Sequence, residues 1–295
     1  MKKKGSVVQL DRISDFGSEG WGFESSLGHF IILLIFPISV FSQQILETHK
    51  LSRNINETSG LEYYGDFLVT HNDSGNPAEL FYLNDLGEII FKRKFKSLKN
   101  YDWEDLASDN DYLYIADIGN NYDTRKNLRI IKVPNNPKED SNEIISFYYP
   151  EQEKFSFRKK SKYDAESLVC YDDYLLIFTK NRNEKLTEIY KVPKNKGEYI
   201  AEKVGTIETG SIVTAADYNK ELNLLVLTAT KNFKKYYLIK IENFALFSEI
   251  IDLKMVEIPV GKTQIESIKI INQSTFWLTT ENEKKGNPFL YKLTF

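Results

Sequence analysis

The sequence predicts an all-β fold: a five-bladed β-propeller of four-stranded antiparallel blades, closed by an N-terminal strand. Three observations predict it. A short phrase recurs five times, as Glu57–Leu61, Asp102–Leu106, Asp164–Leu168, Val213–Asp217 and Gln264–Ile268. An apolar run follows each phrase at nearly the same offset, across a turn rich in Asp, Asn or Gly. Aromatic residues make up 14% of the 295-residue chain, which favours strands over helices.

The residues before the first phrase divide in two. Phe30–Phe41 is an apolar run that Pro37 interrupts, too short to span a bilayer. Val40-Phe41-Ser42 before Gln43 has the small residues of a signal-peptidase site, so residues 30–42 read as a secretory signal. A basic segment immediately before that run is missing, because Lys2–Lys4 lie far upstream. Gly22-Phe-Glu-Ser25 can be encoded by a string containing GGTTCGAATCC, the form of a transfer-RNA T-loop. Residues 1–29 are therefore expected to be a mistranslated leader that does not fold. The folded domain is expected to span 43–295, and the destination to be secreted or periplasmic in a bacterium.

Each repeat supplies its strands in turn. The first strand of a blade starts within the phrase. Second strands are read at Leu68–His71, Leu113–Ala116, Leu175–Phe178, Leu224–Leu227 and Thr275–Leu278. Third strands follow at Leu80–Leu83, Leu128–Val133, Glu188–Val192, Tyr236–Ile241 and Phe289–Thr294. Fourth strands are read at Ile89–Phe95, Ile144–Tyr149, Tyr199–Thr206 and Ile250–Ile258. The fifth repeat ends without one, and Ile45–Leu51 is expected to complete it, which leaves no unpaired end. Four strands per unit of this length is a blade. The alternative is six blades, with a degenerate one hidden in the interval between the second and third phrases. The extra length there, Pro134–Ser161, is too short for a full blade and reads as a lysine-rich surface excursion.

Composition narrows the function. Lys+Arg is 39 against Asp+Glu 42, with both signs interspersed, so no nucleic-acid polymer is expected as a partner. The single cysteine, Cys170, excludes an intrachain disulfide and reads as a small buried residue. No P-loop, HExxH or GxSxG motif occurs. The mature chain carries no membrane span and is expected to be monomeric. Trp103 and Trp277 read as packing between blades.

First strands line the channel of a propeller, so the middle position of the phrase forms a ring. It holds Ser59, Glu104, Glu166, Ala215 and Glu266. Three unpaired carboxylates on one narrow ring repel, so they must be protonated, hydrogen-bonded to fixed donors, or sharing a cation. Oxygen donors without His or Cys suit calcium, giving Ser59, Glu104, Glu166 and Glu266 as candidate ligands. The alternative is that these acids bind backbone amides and hold the blade entrances in register.

These phrases resemble the blade openings of the calcium-activated nucleotidases, the apyrase family of five-bladed propellers. Trp103-Glu-Asp-Leu-Ala107, Leu113–Gly119 and Gln264–Ile270 carry the likeness. It implies a central calcium held by Ser, Glu, Glu, Ser and Glu from successive blades; Ala215 departs from that order, with Thr214 and Asp217 beside it. A wider group of exported bacterial propellers is similar at the Asn-Asp-Ser-Gly, Asp-Trp-Glu-Asp and Asp-Ala-Glu phrases.

The ends of the second strands supply the remaining candidates. His71-Asn-Asp-Ser-Gly75 and Asp117-Ile-Gly-Asn-Asn121 combine small acids and amides with glycine. They offer His71, Asn72, Asn120 and Asn121 for ligand binding, and Asp73 and Asp117 for orienting an attacking water. Thr179-Lys-Asn-Arg182 adds Arg182 and Lys180 as positive charge able to meet a metal-bound phosphate. Ordinary turn chemistry is the plainer account of any one of these loops. Two functions follow. One is a calcium-dependent phosphohydrolase acting on a small phosphorylated ligand such as a nucleotide. The other is a non-catalytic propeller that binds glycan or protein, with calcium purely structural.

Overall fold

The computed structural model describes residues 43–247, 253–261, 263–281 and 286–295. The leader and signal segments lie outside them. The architecture is a five-bladed β-propeller with almost no helix, a single 3-10 turn at Arg53–Ile55 excepted. After β1 (Gln44–Lys50), the first blade is β2 (Thr58–Tyr64), β3 (Phe67–Asn72), β4 (Glu79–Leu83) and β5 (Ile89–Lys94). The second is β6 (Trp103–Ser108), β7 (Tyr112–Asp117), β8 (Arg129–Pro134) and β9 (Glu143–Tyr148). The third is β10 (Ala165–Tyr171), β11 (Tyr174–Thr179), β12 (Thr187–Pro193) and, after β13 (Gly197–Ile200), β14 (Glu202–Ile207). The fourth is β15 (Ile212–Asn219), β16 (Leu224–Lys231), β17 (Lys235–Glu242) and β18 (Met255–Glu257). The fifth is β19 (Gln264–Ile270), β20 (Thr275–Glu281) and β21 (Phe289–Thr294), and β1 adds to β21 as its fourth strand.

The inner strands touch in the cyclic order β2, β6, β10, β15, β19 and back to β2. Each gap between blades is filled by its own apolar cluster. Trp103 and Val69 pack between the first and second blades, and Trp277, Leu61 and Leu51 between the fifth and first. The remaining gaps hold Tyr114 and Ile177, Phe178 and Leu227, and Leu238 and Leu278. Alternation along each strand creates this arrangement: one face packs against the preceding blade, the other against the next. At Gly60, with φ +64°, β2 lies close against β6; a Cβ there would stand 2.8 Å from the Leu106 amide nitrogen.

Two expectations are corrected. The strand predicted at Tyr199–Thr206 breaks at the buried Ala201. Its first part, β13, pairs in parallel with β9 and becomes a fifth strand of the neighbouring blade, while β14 completes the third blade. The fourth phrase is also offset by one residue. Pairing aligns Thr58, Trp103, Ala165, Val213 and Ile265, each opposite the end of its second strand. The position after them holds Ser59, Glu104, Glu166, Thr214 and Glu266, so Thr214 rather than Ala215 completes the ring.

Candidate functional site

In every blade the first strand pair carries a register slip at this ring. Glu104, Glu166, Thr214 and Glu266 are the residues passed over between paired neighbours, and in the first blade the slip falls between Ser59 and Glu62. A bulge breaks strict alternation and re-aims the bulged side chain. Here it turns the ring positions into a cavity of about 280 Å³ at the channel mouth. Ser59, Asp73, Glu104, Asn121, Glu166, Lys180, Arg182 and Glu266 line it, together with Phe233, Gln264 and Glu281. Thr214 turns aside to Thr228, at 3.0 Å between hydroxyls.

The carboxylates of this cavity fall into two electrostatic sets. In the first, cations are built in. Lys180, at the end of β11, places Nζ 2.6 Å from Glu166 and is itself only 5% exposed. Burial works against its charge, yet Glu166 and Glu266 raise its pKa above the usual lysine value. Arg182 lies 3.0 Å from Asp164 and donates to the Asn121 side chain at 2.6 Å. An ammonium group thus occupies the side of the ring that sequence assigned to a metal.

The second set is Asp73, Asp102 and Glu104. One oxygen from each lies within 4.8 Å of the others, and none has an ion-pair partner among the described residues. Burial pushes all three carboxyls up, and nearby carboxylates add to it: Asp102 and Glu166 for Asp73, Asp164 and Asp117 for Asp102, and Glu166 and Asp73 for Glu104, while Arg125 and the Ser74 hydroxyl pull Asp102 back down. Asp73 rises to about 7 and Asp102 to about 6, while Glu104 rises well above the usual carboxylate range. Gly119 closes the set from behind: a Cβ there would collide with the carboxylates of Glu104 and Asp102. Glu104 also belongs to a group with Asp164 and Glu166, but those two already meet Arg182 and Lys180. These acidic groups could hold a metal ion, and the one without ion pairs, with Asp73 and Asp102 half-buried and Glu104 buried, draws on the first two blades.

Asp73 has a consequence for stability. Its folded pKa of about 7 exceeds the ordinary 3.8, so the folded state binds this proton more tightly than the unfolded chain. Between those values stability therefore falls as pH rises, by ~4 kcal/mol for this group alone. In chelator, the melting temperature is expected to be lower at pH 8 than at pH 5. A flat or rising profile would contradict the burial of Asp73 as a bare carboxyl.

The remaining candidates occupy different places. His71 is fully buried, edge-on to Trp103, with Nδ1 3.0 Å from the Asn72 carbonyl; burial lowers its pKa to about 4 and it does not line the cavity. Asn72 accepts from the Glu57 amide and donates to the Asn54 carbonyl, a turn role. Asp117 is clamped by Arg125 at 2.8 Å and Arg129 at 2.9 Å, also outside the cavity. Asn120 accepts from the Arg125 amide and gives its own amide to Asp164, tying two loops together. Asp102 was missed from sequence. Its signal was the first position of the phrase, where Glu57, Asp102 and Asp164 are acidic in three successive repeats.

No protein-family model and no curated protein matches this chain. Among solved structures it is similar to the PQQ-bound form of aldose sugar dehydrogenase from Streptomyces coelicolor, at 11% identity and a TM-score of 0.48, over 86% of this chain and 98% of that one. It is also similar to a chain of the mitotic checkpoint complex, at 13% identity and a TM-score of 0.38, over 80% and 60% respectively. Likenesses this distant do not speak to chemistry.

Proposed function

We propose that this protein is an exported, cation-binding propeller in which calcium sits among Asp73, Asp102 and Glu104 and joins the first two blades at the channel mouth. One observation carries the reading: three carboxylates converge within 4.8 Å of one another and form no ion pair among the described residues, while their neighbours Glu166 and Asp164 are paired with Lys180 and Arg182. Oxygen donors alone favour a hard cation over a transition metal. The calcium ring expected at Ser59, Glu104, Glu166 and Glu266 is revised to this set from the first two blades, which keeps Glu104. Export rests on the apolar run at residues 30–42.

The test is thermal. Calcium is expected to raise the melting temperature, because a ligand that binds only the folded state stabilises it. Asp73→Asn and Glu104→Gln should remove most of that rise, and Gly119→Ala should diminish it by displacing both carboxylates. The rise should also shrink below about pH 6, since protons compete with the cation for the same oxygens. Equal melting with and without calcium at pH 8 would defeat the proposal.

A second reading, calcium-dependent phosphoester hydrolysis, is favoured by Arg182, Lys180 and Asn121 lining the same cavity. When bound, the cation would supply Lewis-acid polarisation of a phosphoryl oxygen. Arg182, already oriented by Asp164 and Asn121, would position a phosphate, and Glu266 faces the same space as a proton acceptor. Against it, Lys180 and Arg182 spend their charge on Glu166 and Asp164. Phosphate release from nucleotides, with calcium and with chelator, decides: no release in either condition leaves the binding role alone.

A further inference from the structure

The loop beside the cavity presents a second chemistry. Tyr122 follows Asn121, which lines the cavity, so it stands on the same face of the propeller. Its ring stacks on Phe157 at 4.9 Å between centroids and 21° between planes. Both rings project: Phe157 is 70% exposed and Tyr122 53%. Isolated exposed aromatics are ordinary, but a stacked pair forms a continuous apolar tip.

Positive charge surrounds this tip. Lys154, Arg158, Lys159 and Lys160 are all exposed, with Lys162 half-buried beside them. Arg158 reaches Asp123 at 3.4 Å, but the four lysines have no carboxylate partner among the described residues. The acids of the same stretch do not cancel them. Glu151 and Glu153 are both exposed, Glu151 accepting the Tyr190 hydroxyl at 3.2 Å, and these two acids stand against five cations. The chain as a whole is acidic, at −3, so this concentration of cations is local.

We propose that the Tyr122–Phe157 tip and its lysine rim form an interfacial anchor for an anionic lipid surface, presenting the channel mouth to the membrane. Aromatic rings enter the headgroup layer, and lysines beside them are drawn to anionic lipid. Projection favours this partner over a soluble polyanion: rings that read bases or sugars sit in grooves, whereas these stand out from the surface. The anchor is independent of the cation site, since none of its residues belongs to that site.

The test is co-sedimentation with vesicles in chelator. The protein is expected to bind vesicles of phosphatidylglycerol and phosphatidylcholine, to bind pure phosphatidylcholine far more weakly, and to release in high salt. The double variant Lys159→Glu, Lys160→Glu should weaken binding at least tenfold, and Phe157→Ala several-fold, both with unchanged melting temperature. Failure to bind anionic vesicles would overturn the proposal, as would binding indifferent to all three substitutions. Binding to heparin or single-stranded DNA without binding to vesicles would overturn it in favour of a soluble polyanion.

Discussion

Replacing Lys269 with methionine is expected to destabilise the protein by about 3–5 kcal/mol, an effect calcium does not rescue. Lys269 lies in the channel wall below the cavity, with Nζ 2.6 Å from Glu62 and 2.9 Å from Asp217. These residues belong to the fifth, first and fourth blades, so one ammonium ties three blades together. Glu62 is 5% exposed and Asp217 8%. Burial raises the Glu62 pKa, with Lys269 pulling it down and Asp217 pushing it up. Asp217 further accepts the Ile270 amide at 2.7 Å. Removal of Lys269 leaves two buried carboxylates with no cation, the costly half of a broken buried pair. Chemical denaturation of the variant, with and without calcium, measures both parts of the expectation. A loss below about 1 kcal/mol would place the triad among weak surface pairs.

Lys180→Met should behave differently. It also removes a buried ammonium, and without calcium it is expected to cost about 3–5 kcal/mol, because Glu266 then loses its nearest cation and Glu166 keeps only Arg182, at 4.0 Å. Here, however, the carboxylates open onto the space that Ser59 and Glu104 share. Calcium is therefore expected to restore much of the loss, occupying the ring that Lys180 closes in the native protein. Loss of stability with no calcium response would show that the ring cannot assemble an oxygen cage. The contrast between the two lysines separates a sealed ion triad from an accessible site.

The repeated phrase made the fold legible. Blade number, strand order and closure by β1 all follow from aligning one column of residues and its following apolar run. What alignment by sequence obscured was a single-residue offset in the fourth repeat. With Asp217 in the anchor column, its equivalence to Glu62 and Lys269 was hidden, and so was the triad. Pairing puts Ala216 opposite Leu227, moves Asp217 one place on, and brings the three charges into one layer.

The site was legible in its members more than in its geometry. Ser59, Glu104, Glu166 and Glu266 share one cavity, as the ring argument requires. Sequence spacing cannot report that a lysine from the neighbouring strand enters the ring. Lys180 was visible as a basic residue at a second-strand end, but its reach depends on the bulge at Glu166 and on burial. The opposite error applies to His71 and Asp117. Both stand beside cavity loops in sequence, yet one is packed against Trp103 and the other is held by two arginines. Polar residues at strand ends divide between site and scaffold according to which way the last peptide turns, and that is settled by packing.

The most direct measurement is calorimetric titration of calcium into the protein at pH 8, beside the Asp73→Asn and Glu104→Gln variants. One calcium per chain is expected, with proton release that changes with buffer, and binding lost in both variants. No binding in the parent protein, or binding unchanged in the two variants, would contradict the assignment of Asp73, Asp102 and Glu104 as the cation site.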